Sequence, residues 1–171
     1  MKTSLFAIAA VLIAVPATGA LAQEAATLPR VAAAAETQST QGSGADGAVI
    51  MVDPGDPSRS LILAGAESAG IDVFDLTGRR IASHQVGKIR ALDLRADAAS
   101  RGGPLLAALD GKENAPKLFR VGAGGVPTSL SLVGIKTKMT IAGLCLSRSH
   151  RDSSLYLFLV GEQGQIEQWG L

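Results

Sequence analysis

The chain has 171 residues, with 16 Lys and Arg against 15 Asp and Glu, a hydrophobic fraction of 47% and an aromatic fraction of 4%. A formal charge of +1 excludes a strongly basic surface, so no nucleic-acid partner is expected from bulk charge. A lone cysteine, Cys145, excludes an intramolecular disulfide framework and a cysteine-based zinc site, and the length suits one domain.

At the N-terminus, Lys2 precedes an almost uninterrupted apolar run from Leu5 to Val15, and Ala20-Leu21-Ala22 supplies the small-x-small pattern of a signal-peptidase site. The run is shorter than the roughly 20 residues that a spanning helix needs. The expectation is a signal peptide over residues 1–22, with no membrane span after cleavage and export to the periplasm or the medium. Gln23 to Ala45 is nearly free of large apolar side chains and reads as a disordered linker, with at most a short helix over Arg30 to Glu36. The folded domain is expected over residues 46–171.

From Asp46 onward, short strand candidates follow one another. Val49 to Val52 ends at Asp53-Pro54-Gly55-Asp56-Pro57-Ser58, where prolines and a glycine enforce a loop. Leu61 to Ala64 is apolar, Ile71 to Leu76 alternates, and Thr77-Gly78 turns the chain into Arg79 to His84 as a hairpin. Ile89 to Arg95 alternates, with Ile89, Ala91 and Asp93 on one face and Arg90, Leu92 and Leu94 on the other. Leu105 to Leu109, Lys117 to Val121, Ser129 to Val133, Thr140 to Leu146, Leu155 to Val160 and Gln165 to Trp169 continue the series. No segment after Glu36 has helical periodicity, and about ten short strands predict an all-β sandwich, barrel or propeller. Val49, Leu63, Val73, Leu92, Leu144, Leu157 and Ile166 are the expected core, with Cys145 a small core residue among them.

Two stretches share one plan. Leu61 to Gly65 with Gly70 to Phe74, and Leu155 to Gly161 with Gly164 to Trp169, each join an apolar strand to an alternating one across a small-residue turn. Such recurrence is the mark of propeller blades of about 40 to 50 residues, which leaves room for two to three.

The residues that carry these strands resemble a known family. Asp46-Gly47-Ala48-Val49-Ile50-Met51-Val52-Asp53-Pro54 is similar to the opening Asp-Asp-Pro-Ala-Ile-Trp-x-Asp-Pro of the β-propeller phytases. Ser60 to Gly78 resembles their Lys-Leu-Ile strand, glycine turn and Val-Tyr-Asp-Leu-x-Gly hairpin. Gly87 to Arg95 resembles Gly-Lys-Leu-Asn-Asn-Val-Asp-Ile-Arg, and Gly161 to Trp169 resembles Gly-Lys-x-Gly-x-Phe-Glu-Gln-Tyr. The resemblance implies the N-terminal portion of a six-bladed propeller, whose calcium ions near one channel mouth help hold and hydrolyse phytate.

The departures from that family fall on its charged positions. Asp46 is retained but is followed by Gly47, and the lysine-rich turn corresponds to Ala66-Glu67-Ser68. The Asn-Asn pair reads Arg90-Ala91, Lys112 stands near the arginine of a Ser-Asn-Arg turn, a tyrosine falls at Ala142, and a Lys-Glu pair falls at Glu162-Gln163. Calcium takes six to eight oxygen ligands, and phytate takes a dense set of cations. No residue is therefore given a catalytic role. Asp46 and Asp93 are the candidate calcium ligands, and Lys88, Arg95 and Lys112 the candidate phosphate-binding cations.

Each has a structural alternative. An aspartate beside a turn caps backbone amides, Asp93 and Arg95 share a strand face and can pair, and the lysines can line a solvated edge. His84 and His150 have no clustered third ligand, and Ser43 and Ser68 have no acid–histidine order for a serine hydrolase. Two functions follow: a secreted calcium-dependent phosphatase for phytate or another phosphorylated small molecule, or a non-catalytic propeller module. The second associates with itself or docks on a full-length propeller, because an incomplete propeller leaves a blade face uncovered.

Overall fold

A computed structural model describes residues 31–42, 44–96, 103–130 and 135–171. The proposed signal segment, Ser43 and the end of the Ser129–Val133 candidate lie outside the described residues. Within Ala33–Leu171 the chain forms strands β1 (Ala45–Met51), β2 (Leu61–Ala66), β3 (Gly70–Asp75), β4 (Arg80–His84), β5 (Ile89–Arg95), β6 (Leu105–Asp110), β7 (Ala115–Val121), β8 (Pro127–Leu130), β9 (Ile141–Arg148), β10 (Leu155–Gly161) and β11 (Ile166–Gly170). Residues 31–36 are not helical. The protein is all-β.

Three antiparallel sheets follow one another in sequence: β1-β2-β3-β4, β5-β6-β7-β8, and β9-β10-β11. Each is a meander whose strands are joined by short turns or loops, the pattern of consecutive propeller blades. The turn between β3 and β4 shows the local cause. Asp75 Oδ1 accepts the amides of Thr77 (3.0 Å) and Arg79 (3.1 Å), and Gly78 takes a φ of +83° that an L side chain resists.

The sheets stack face to face, and the middle one is buried on both sides. Leu106, Ala108, Phe119 and Val121 pack against Leu61, Leu63, Ile71 and Val73 of the first sheet. Leu105, Ala107, Leu109 and Leu118 pack against Ile141, Leu146, Leu157 and Leu159 of the third. This accounts for the run Leu-Leu-Ala-Ala-Leu in β6, since a strand covered on both faces has no reason to alternate.

Leu63, Val73 and Leu157 are fully buried as expected, while Val49, Leu92 and Leu144 are half-buried against the same clusters. Ile166 is a correction: it is 68% exposed, on the face of the third sheet that nothing described covers. Cys145 is another, being exposed on that same face opposite Phe158. The alternation of β5 is also corrected. A register shift between Ile89 and Ala91 moves Ile89 to the side of Leu92 and Leu94, facing the first sheet, and leaves Ala91 facing the third.

Candidate functional site at one end of the sheets

The starts of β1, β5 and β9 and the turns after β2, β6 and β10 gather at one end of the stack. Their contacts repeat from sheet to sheet. Lys88 Nζ lies 3.3 Å from Glu67 Oε1, and the Gly111 amide donates to Lys88 O at 2.7 Å. Asn114 Nδ2 donates to Met139 O at 3.0 Å, Asn114 Oδ1 accepts the Ile141 amide at 2.9 Å, and the Glu162 amide donates to Thr140 O at 3.0 Å. A turn within a sheet thus holds a strand start, in the next sheet or in its own.

The strongest electrostatic feature of this end is a pair that sequence reasoning missed. Asp110, only 2% exposed, accepts from Lys117 Nζ at 2.6 Å, and its other oxygen accepts the amides of Lys112 (2.9 Å) and Glu113 (3.2 Å). Burial by itself raises the Asp110 carboxyl, yet these bonds, Lys117 first, hold it below the usual carboxylate range. The bond to Asp110 likewise raises Lys117, against the effect of its own burial. Lys117 also donates to Val86 O at 3.2 Å and lies 3.5 Å from Glu113. A cation inside an otherwise apolar stretch, Pro116-Lys117-Leu118-Phe119, was the available signal.

The five candidate residues divide between two places. Asp46 at the start of β1, Lys88 before β5 and Lys112 in the turn after β6 belong to this end. Asp93 and Arg95 lie along β5, whose seven residues span roughly 20 Å. Arg95 Nη1 bonds Asp93 Oδ1 at 2.8 Å and Leu94 O at 2.9 Å. Asp93 Oδ2 accepts the Leu146 amide at 2.7 Å, which ties the second sheet to the third. Both oxygens of Asp93 are therefore engaged. A cavity of about 1020 Å³ opens at the opposite end, beside Met51, Pro54, Leu61, Pro104 and Val121, and none of the candidate residues lines it.

Among the described residues no three of His, Cys, Asp and Glu gather as a metal ion would require. Of the candidate cations, Lys88 is paired with Glu67 and Arg95 with Asp93, and the buried Asp110 is spent on Lys117. The carboxylates among the described residues do not form a donor set that fits calcium. No helix among the described residues is long and apolar enough to cross a membrane.

A stack of antiparallel meander sheets carrying charged turns at one end defines a propeller-type β domain. The sequence profile of the Phytase family matches residues 2–171, and the chain belongs to that family. It is also 27% identical to a 3-phytase of Bacillus subtilis (strain 168) over 133 residues, covering 73% of this chain and 35% of that relative. The chain thus spans about a third of the length of the curated relative it matches.

Proposed function

We propose that the chain is an exported phytase-type propeller module that does not hydrolyse phytate by itself. The observation that carries this reading is the neutralisation of its cations from within. Lys88 pairs with Glu67 and Lys117 with Asp110, so two cations of the charged end are matched by acids of the same end. A multiply charged phosphate ester needs an excess of donors and positive charge at its site. Lys112, exposed in its turn, is the residue best placed to meet a phosphate. The calcium implied by the family would have to draw ligands from beyond the described carboxylates. Export rests on Lys2, the Leu5–Val15 run and the Ala20-Leu21-Ala22 pattern.

Family membership favours the competing reading, a secreted calcium-dependent phosphatase. Phosphate release from phytate, with and without calcium, separates the two. The expected result is no calcium-dependent release from the purified chain. Glu162→Lys combined with Gln163→Glu changes an exposed turn at the charged end and should tighten phytate binding by roughly three- to tenfold in calorimetry, without turnover. Robust release by the unmutated chain would overturn the proposal.

A further inference from the structure

Residues 37–42 belong by composition to a linker, with no large apolar side chain, and only Thr40 among them is not fully exposed. Four hydrogen bonds nevertheless tie them to the first sheet. Gln38 clamps the turn after β3: its amide donates to Gly78 O at 2.8 Å, and its Oε1 accepts the Arg80 amide at 2.9 Å. Arg80 Nη1 donates to Ser39 O at 2.6 Å, and the Gln41 amide donates to Asp72 Oδ2 at 2.6 Å. The fit is close at both ends. A Cβ added at Gly78 would collide with Glu36 O, and one added at Gly42 with Ser68 Oγ.

Asp72 is the centre of this arrangement. Its side chain is fully buried, accepts from the Ser83 hydroxyl through Oδ1, and lies 3.8 Å from Arg80 Nη1. A buried carboxylate needs donors on both oxygens. Ser83 serves Oδ1 from within the sheet, whereas Oδ2 is served by the Gln41 amide and by Arg80, which itself holds Ser39. Asp72 and Phe74 alternate with Ile71 and Val73, which face the second sheet, so they lie on the opposite face. There Ile62, Ala64 and Phe74 form a groove, and with Thr37 and Thr40 they line a cavity of about 320 Å³.

We propose that residues 37–42 are a strap, latched on Asp72, that opens and closes as one unit while the sheets stay folded. Closed, the strap covers the groove of Ile62, Ala64 and Phe74, whose occupant is therefore this chain's own segment. The closing contacts are polar, few and nearly without buried side chains, so release costs far less than melting a sheet. What favours closure is the carboxylate, because an amide aimed at a charged acceptor makes the stronger kind of hydrogen bond. Opening admits water to Asp72 Oδ2 and uncovers the groove. None of these residues belongs to the charged end, so the strap does not depend on the reading of its phosphate chemistry.

Hydrogen exchange of the full chain, read at single amides, tests the proposal. The Gln38 and Gln41 amides should exchange about ten- to a hundredfold more slowly than in an unstructured peptide, and to the same degree, since one opening frees both. Low denaturant should leave their exchange unchanged while it speeds that of β2 and β3, because releasing the strap exposes little surface. Gln41→Pro removes the N–H that meets Asp72 and lies outside every strand. It should speed exchange at Gln38 by about tenfold, raise binding of an apolar fluorescent dye about threefold, and leave the denaturant midpoint of the sheets unchanged. Ala33→Pro, ahead of the strap, should change none of these. Four results would each overturn the proposal: peptide-like exchange at Gln38 and Gln41, exchange there only with the core strands, no gain in dye binding with Gln41→Pro, or an equal effect of Ala33→Pro.

Discussion

β6 and β10 occupy the same place in their sheets, each second in a meander, and both are apolar throughout much of their length. β6 is buried at every position from Leu105 to Asp110, whereas β10 buries Leu157 and Leu159 and leaves Tyr156, Phe158 and Val160 half-buried or exposed. The difference lies in the neighbours. Among the described residues, the second sheet has a sheet on either side, and the third has one on the side of Leu157 and Leu159. Hydrophobic residues are therefore informative about burial here only when it is known which sheets lie beside them.

Truncation of the two strands should sharpen this contrast most. Leu106→Ala removes a fully buried side chain from a strand covered on both faces and should cost about 3 to 4 kcal/mol. Phe158→Ala acts on the half-covered face and should cost about 1 kcal/mol, even though it deletes more atoms. Denaturant midpoints measure both, and equal losses would break the comparison.

Glycine positions give the next largest effect. Gly87, at φ +125°, faces Asp110 and Lys117, and an added Cβ would collide with Asp110 Oδ2 and lie 2.9 Å from Lys117 Nζ. Gly164 has a φ of +83° but open space around it. Gly87→Ala should cost about 2 to 3 kcal/mol, combining backbone strain with displacement of a buried pair, and Gly164→Ala about 1 kcal/mol from strain alone. Thermal melts of the two variants check the difference.

The Asp110–Lys117 pair should also shape the stability profile with pH. Asp110 is depressed, so its contribution is present above the unfolded carboxyl value of about 3.9 and is lost as pH falls through the lower folded value. Lys117 is raised, so its contribution is complete below about 10.4 and is lost as pH climbs through the higher folded value. Between these limits the pair is constant. Asp110→Asn should cost about 2 kcal/mol near neutrality and flatten the acid limb, as read from unfolding free energies across pH. A variant that keeps the parent's acid limb would show that another carboxylate carries it.

Much of the local architecture was legible in the residues. The alternation of Ile71–Leu76 and the Thr77-Gly78 turn place a hairpin, and Asp53 to Ser58 places a loop, because turn chemistry acts within a few residues. The candidate site was less legible. Lys88 and Lys112 come to one end, but their region is governed by Asp110 and Lys117, whose bond depends on antiparallel pairing across the turn after β6. Asp93 looked like a ligand, and its partner, the Leu146 amide, lies 53 residues away in another sheet. Spacing along the chain carries no information about such a contact.

The sequence by itself determined that short strands succeed one another across turns, though not their ends, since β1 begins at Ala45 rather than Val49 and β9 runs on to Arg148; period-two patterning and turn residues are local properties. Tertiary structure alone decided which faces are covered. The register shift at the start of β5 carried Ile89 to the face opposite Ala91, and the stacking of sheets buried both sides of β6 while leaving Ile166 and Cys145 in the open. Burial is a relation between two surfaces, and a strand specifies only its own.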